Sequence, residues 1–360
     1  MKLSRRSAHL CLLVRRVLVR HAGPGLSLAA AVVAVLGIMT GPAMAKSPSS
    51  AHAPTVNAST PCVGLSGAPA RIKHVIVLFM ENQPYNDIIG NPDASYVNDL
   101  ADRCGLATNY HNITHPSAPE YLAATSGELG GIGDCPPVFL DPSWPPTCPD
   151  TNDNIFHQAM AAGETWKNYE ESMATNCFEG EDDSNYDINH NPAAYYTDLG
   201  GPSGAIGSPC QQFDVPLGTP QTGNLETDLA NSTVPNYAFI APDLIHDTHN
   251  GSIAVGDQYL SQLIPTILNS PQYKDGSTVL FLTWDEGEGG SSDDCAFNTT
   301  DIGCHAAMVV ASPYTRPGTQ SAKLFNHYSL LKTSEELLNL PLLGHAADAK
   351  IKSMAPAFHL

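Results

Sequence analysis

The sequence predicts an α/β protein: a mainly parallel central sheet flanked by helices, with a disulfide-tied, loop-rich insertion. Three observations carry this. Val75-Ile76-Val77-Leu78-Phe79-Met80 and the run over 278–283 are continuously apolar or β-branched, too short for helices and without polar alternation. That is the pattern of strands covered on both faces, as parallel strands are. Strand and helix patterns alternate beyond residue 71 with no internal repeat, which favours one α/β domain. Each buried run also ends at once in polar residues, Glu81-Asn82 and Asp285-Glu286, and open α/β sheets keep their sites at the carboxyl ends of such strands.

In chain order, residues 1–45 carry Lys2, Arg5, Arg6, Arg15, Arg16 and Arg20 and no acidic residue, then an apolar run over 26–39 and Ala43-Met44-Ala45. This is the layout of a signal peptide cleaved after Ala45. The apolar run is shorter than the roughly 20 residues of a membrane span, so no stable span is expected after cleavage. The expected location is secreted or cell-envelope. Ser4-Arg5-Arg6-Ser7-Ala8-His9-Leu10 is similar to a twin-arginine signal, the route for proteins exported already folded. Residues 46–70, rich in Ser, Pro, Ala and Thr, read as a flexible leader. Residues 71–345 form the single domain and 346–360 a C-terminal tail.

Within the domain, helical patterns cover 96–103, 253–268 and 328–340, and strand patterns cover 237–240 and 307–311. From 128 to 235, Gly, Pro, Asn, Asp and Cys dominate, with brief patterned pieces at 155–162 and 165–169, so this segment reads as an insertion over the sheet. Thr114-His115-Pro116-Ser117-Ala118-Pro119-Glu120-Tyr121 leads into a helix over 122–126. Proline pushes the residue before it out of the helical region, so Ser117 is expected in extended chain at or just before the helix N-terminus. Unpaired N–H groups there favour a phosphate or another oxyanion.

The formal net charge is −19, and about −25 once the six basic residues of 1–45 are removed. Such a surface repels nucleic-acid phosphates and anionic membranes, so no nucleic-acid partner is expected. An anionic ligand would need local compensation, for which a metal ion is the obvious source. Without Cys11, eight cysteines remain, an even number in an exported chain. Local pairing predicts Cys135–Cys148, Cys177–Cys210 and Cys295–Cys304, leaving Cys62 for Cys104.

Asp285 and Glu286, followed by Gly287-Glu288-Gly289-Gly290, can present two carboxylates to one hard or borderline cation. Glu81 and Asn82 repeat the pattern after the other buried strand, and in a parallel sheet both tips lie on one edge. His246-Asp247-Thr248-His249-Asn250 and Phe325-Asn326-His327-Tyr328 bring histidines to loops that can converge there. His115 lies two residues before Ser117. His305, beside Cys304, reads as a loop residue, and Asp293-Asp294 as a solvated acidic turn.

Together, Glu81-Asn82, His115 through Tyr121, Asp247-Thr248-His249, Asp285-Glu286-Gly287 and Asn326-His327-Tyr328 resemble the phosphoesterase family of bacterial phospholipases C and acid phosphatases, whose fold is similar to that of alkaline phosphatases. The resemblance spans about 73–340. It implies one divalent metal ion (calcium, magnesium, manganese or zinc) held by Glu81, Asn82, Asp285, Glu286 and the Ser117 hydroxyl. It further implies Ser117 as nucleophile, His249 as phosphate contact or general acid, and His115 and His327 in the same pocket. Family members commonly have Arg-Ser where Gln83-Pro84 stands and Asn where Glu120 stands; neither position is an expected ligand. The implied activity is that of an exported metal-dependent acid phosphatase working through phosphoserine on a small phosphate ester or phospholipid headgroup. A phospholipase C-type phosphodiesterase and a non-catalytic exported binding protein are the alternatives. A sulfatase would carry Arg where Tyr121 stands.

Overall fold

The structure, a computed structural model, describes residues 55–66, 72–130, 149–180, 185–201, 205–290 and 292–360. Its centre is a nine-stranded sheet: β1 His74–Met80, β2 Gly105–His111, β3 Trp166–Glu170, β4 Asp214–Pro216, β5 Tyr237–Ala241, β6 Thr278–Trp284, β7 His305–Ala311, β8 Thr319–Ser321 and β9 Phe325–Asn326. The order is β4-β3-β5-β1-β6-β7-β2-β8, with β9 beside β2. All pairings are parallel except those of β7, which runs against both β6 and β2. The segment between β6 and β7 turns back at one edge and is closed by the Cys295–Cys304 disulfide. An antiparallel neighbour can be reached by so direct a return, whereas a parallel one needs a crossover.

β1 is buried beyond its first residue and β6 is buried throughout, which is why neither shows polar alternation. Each large apolar side chain buried there contributes about 1.5–3 kcal/mol, enough in sum to fix the register of the central strands. That register aligns Met80 with Trp284, so Glu81 and Asp285 leave the sheet side by side. β5 lies against the other side of β1, and beyond its end the Asp247 carbonyl accepts the Glu81 N–H at 2.8 Å. Three polar loops therefore share one edge.

The helix carrying Ser117 spans Ser117–Ser126, so the serine is its first helical residue and not part of an extended lead-in. Pro119 sits in the first turn, where N–H groups have no intrahelical acceptor and a missing one costs nothing. Every residue of this helix is buried, and Gly127, at φ 77°, ends it. The last long helix, His327–Leu337, is capped by Asn326, whose side chain accepts the Ser329 N–H. It starts and stops earlier than its apolar pattern suggested, although Leu338 and Leu340 remain buried beyond it.

Two expectations change in detail. The described residues of segment 128–235 widen the sheet rather than only lying over it, supplying β3 and the edge strand β4. In the leader, residues 55–66 are fastened to the domain, with Val56 and Cys62 buried and Cys62 bonded to Cys104. The pairs Cys177–Cys210 and Cys295–Cys304 are present, while Cys135–Cys148, the expected signal peptide over 1–45 and residues 46–54 and 67–71 lie outside the described residues. His305 opens β7 rather than lying in a loop, with its ring stacked on Tyr85 at 4.3 Å.

Two carboxyl groups away from the shared edge set a pH dependence. Burial pushes Asp214 up to about 7, against hydrogen bonds from Asn191 and Asn168, and pushes Glu335 up to about 8. Between the ordinary values of 3.8 and 4.5 and these raised ones, the folded chain holds protons that the unfolded chain releases. Their contribution to stability thus falls as pH rises through that window, by at most about 1.4 kcal/mol per pH unit for each group. Urea midpoints measured from pH 4 to 8 should show Asp214→Asn with a smaller acid-to-neutral decline than wild type. An unchanged decline would contradict the assignment.

Candidate active site

Ser117 Oγ donates to Glu81 Oε2 at 3.1 Å, and Tyr121, one helical turn on, donates to Glu81 Oε1 at 2.6 Å. The tip of β1 thus meets the first turn of the Ser117 helix through one carboxylate. Asn82, with φ 57°, donates its backbone N–H to Asp285 Oδ1 at 2.9 Å, joining the tips of β1 and β6, while its side-chain amide donates to Glu81 Oε2 at 3.3 Å. Thr248, at φ 83°, is in a region costly for a β-branched residue. It is held there because its hydroxyl donates to the Glu81 carbonyl at 2.7 Å and accepts from Trp284 Nε1 at 3.2 Å. Gly256 makes room for this loop: a Cβ there would lie 2.4 Å from Thr248 Cγ2.

Glu81, Asp247 and Asp285 are essentially inaccessible to solvent, and among the described residues no Lys or Arg forms an ion pair with them. Burial, then the charges of Asp285 and Asp247, raises Glu81 far above the usual carboxylate range. Burial, then Glu286, raises Asp285, and burial raises Asp247 against its hydrogen bond to His190. Asp285 Oδ2 is buried without a hydrogen-bond partner. Adjacent buried carboxylates raise one another because they cannot all stay ionised without a compensating cation. The donor set, oxygen-rich with an imidazole beside it, fits a divalent ion.

His190 bridges two of the acids, with Nε2 3.3 Å from Glu81 Oε1 and Nδ1 3.3 Å from Asp247 Oδ2. Burial lowers its pKa, but the hydrogen bond to Asp247 and that residue's charge outweigh it, so the net shift is upward. His249 lies at the exposed mouth; its backbone N–H donates to Asp247 Oδ1 at 2.7 Å, and its ring is 5.7 Å from that of His190. Ligand atoms of Glu81, His190 and His249 all lie within 4.8 Å of one another. His115 Nδ1 is 2.8 Å from Glu286 Oε2, which raises its pKa. These two residues line a cavity of about 240 Å³ bounded by Gly287–Gly290 and Asp293.

Comparison with known proteins places these residues in a family. The model of the Phosphoesterase family matches residues 91–341. The chain belongs to the Phosphoesterase family. Within it, the chain is 28% identical over 299 residues to a phosphatidylinositol-3-phosphatase of Mycobacterium tuberculosis, covering 81% of this chain and 85% of that one. It is 26% identical over 290 residues to a probable acid phosphatase of Kluyveromyces lactis, covering 78% of this chain and 62% of that one. It is 27% identical over 285 residues to an acid phosphatase of Aspergillus fumigatus, covering 74% and 55%. The chain thus spans little more than half the length of these fungal relatives. The solved Ps i-CgsB structure shares the fold at TM-score 0.50 with 12% identity, covering 80% of this chain and 76% of that one. A protein of the alkaline phosphatase superfamily from Vibrio parahaemolyticus aligns at TM-score 0.48 with 12% identity over 80% of this chain and 72% of that one.

Of the residues singled out in this Phosphoesterase sequence, Ser117, Glu81, Asn82 and Asp285 meet directly. Glu286 stands behind them, facing His115. His327 is fully enclosed: Nδ1 lies 2.7 Å from the Tyr110 hydroxyl, and Nε2 lies 2.5 Å from the Asp285 carbonyl and 3.3 Å from Glu120 Oε2. Burial pushes its pKa down to about 4, so the ring is neutral and holds the Asp285 loop from behind. Glu120, equally buried, accepts the Ile113 and Thr114 N–H groups and so fixes the lead-in to His115. Sequence reasoning missed His190. Its only signal was a histidine in the Asn189-His190-Asn191-Pro192 turn of the insertion, where Asp187 caps a 3-10 helix.

A divalent cation at about 100 times its Kd should stabilise the folded chain by about 2.7 kcal/mol. Thermal midpoints of chelator-treated protein should therefore rise on adding calcium, magnesium, manganese or zinc, and rise less in Asp285→Asn. A midpoint indifferent to every cation would contradict the fit.

Proposed function

We propose that this phosphoric ester hydrolase is an exported, metal-dependent acid phosphatase that works through a phosphoserine on Ser117. The observation that carries the proposal is the Ser117 hydroxyl, held in the first turn of a buried helix and 3.1 Å from a carboxylate of an acid-rich, base-poor cluster. Names carried by relatives support a phosphomonoester: a phosphatidylinositol-3-phosphatase and several acid phosphatases. The substrate class is a small phosphate ester or a phosphorylated lipid headgroup.

Glu81, Asn82, Asp285 and Ser117 Oγ would hold the cation, with Glu286 adjacent. When bound, it supplies positive charge that offsets the phosphoryl oxygens and favours the ionised serine. The Ser117 proton already points at Glu81. Ser117 passes that proton to Glu81 as its Oγ attacks phosphorus; the Oγ–P bond forms and the ester P–O bond breaks. His249, at the mouth, gives its proton to the leaving alkoxide, which suits an acidic optimum. Water then attacks the phosphoserine and neutral His249 takes its proton; the P–Oγ bond breaks, and inorganic phosphate leaves as Glu81 returns the proton to Ser117. His190 fixes Glu81 against Asp247 while charge moves past both.

Mature protein assayed with divalent cations should release phosphate from p-nitrophenyl phosphate faster than p-nitrophenol from its phosphorylcholine ester. Ser117→Ala should lower kcat/KM by at least about 10³-fold with an unchanged circular dichroism spectrum. A variant within tenfold of wild type would remove Ser117 from the mechanism, preference for the diester would favour a phospholipase C-type activity, and no turnover of either ester would favour the binding-protein reading.

A further inference from the structure

One helix serves both oxygens of the Glu81 carboxylate. Ser117 and Tyr121 stand four residues apart on the helix Ser117–Ser126, so they lie one above the other on a single face. The Ser117 hydroxyl donates to Oε2 at 3.1 Å and the Tyr121 phenol to Oε1 at 2.6 Å. The two oxygens differ in their other company. Oε2 also accepts from the Asn82 amide at 3.3 Å, so both of these neighbours belong to the expected cation ligands. Oε1 instead faces the phenol and, at 3.3 Å, His190 Nε2.

We propose that Tyr121 is a positioning residue that fixes the rotation of the Glu81 carboxylate and offers Oε2 alone to the divalent cation and to Ser117, a role that rests on Ser117 as nucleophile and Glu81 as cation ligand. A carboxylate can bind a cation through one oxygen or through both. Hydrogen bonds to an ionised acceptor are among the strong ones, and one of 2.6 Å occupies Oε1 with a donor that a chelating cation would have to displace. Held in this way, Glu81 keeps Oε2 for the cation and for the proton that Ser117 gives up.

The phenol is itself held in place. Tyr121 is buried, and its ring lies parallel to that of His190, 3° between planes and 5.3 Å between centroids. Phe79 meets the same ring edge-on at 5.0 Å, and Phe239 meets it at 5.8 Å. Packing of this kind fixes the ring and therefore the direction of its hydroxyl. A buried phenol needs an acceptor in any case, which accounts for one hydrogen bond. It does not account for the division of labour, in which one helix face gives Oε2 to the serine and Oε1 to the tyrosine. Groups that orient a metal ligand in this way typically carry 10–100-fold effects on affinity or activity when lost.

Tyr121→Phe removes the donor and keeps the ring. In the full mature chain its kcat for p-nitrophenyl phosphate should fall by about 10–100-fold while KM stays within about twofold of wild type, because the groups that meet substrate are untouched. A second measurement does not depend on turnover. Crystals soaked in manganese should show wild-type Glu81 on the cation through Oε2 alone with the phenol still on Oε1, and Tyr121→Phe with both oxygens on the cation. Wild-type Glu81 chelating through both oxygens, Tyr121→Phe with Glu81 in the wild-type orientation, or a Tyr121→Phe kcat within about threefold of wild type would overturn the proposal. If Tyr121→Phe does not fold, the wild-type coordination decides. Ser117→Ala measured alongside separates the two assignments: activity retained there removes Ser117 as nucleophile, while the crystal result still tests Tyr121.

Discussion

The structure depends on a concentration of negative charge where it is hardest to keep. Parallel β5, β1 and β6 end together; Glu81 and Asp285 directly follow β1 and β6, and the loop after β5 brings Asp247 beside them in space closed to water. No Lys or Arg among the described residues pairs with them. Isolated buried carboxylates would lose several kcal/mol each in solvation, so the surroundings are arranged to offset this. Backbone N–H groups of Asn82 and His249, the hydroxyls of Ser117 and Tyr121, and the His190 ring all point toward the acids. Asn82 and Thr248 accept left-handed backbone conformations to make two of these contacts possible. Such strain persists where surrounding contacts over-determine it, and it clusters at functional sites.

Much of this was legible in the sequence because it follows from periodicity and strand polarity. A buried parallel strand has no polar face, so β1 and β6 stand out as unbroken apolar runs, and their carboxyl ends mark one edge of the sheet. Glu81-Asn82 and Asp285-Glu286 could therefore be placed side by side without coordinates. The distribution of roles among histidines was not legible. His327 adjoins an Asn cap and a helix, which places it near the edge but does not reveal that its ring turns inward between Tyr110 and the Asp285 carbonyl. His190 belongs to an irregular segment whose path is set by 3-10 turns, and no period there reports which side chain points inward. β4 escaped notice and β3 stood out only as a brief patterned piece at 165–169, for a related reason: both are short, and Asn168 and Asp214 within them pair with polar neighbours rather than packing in an apolar layer.

Covalent ties complement the sheet. Cys62–Cys104 fastens the segment before β1 to the residue before β2, Cys177–Cys210 secures the insertion near β4, and Cys295–Cys304 closes the return between β6 and β7. All three restrain segments with little regular structure. In the last, Cys295 Sγ lies 3.8 Å from His115 Nε2, so the restraint reaches the lead-in to the serine. The Ser117 helix adds the complementary feature: its N-terminus meets the acidic edge through Ser117, a setting that favours an incoming anion once the carboxylates are neutralised.

The most direct test of this account is acid quenching during turnover of a ³²P-labelled phosphomonoester, followed by peptide mapping. Label on Ser117, lost on chase with unlabelled ester, is the predicted result. Label on another residue, or none while steady turnover proceeds under conditions that trap phosphoserine, would contradict it.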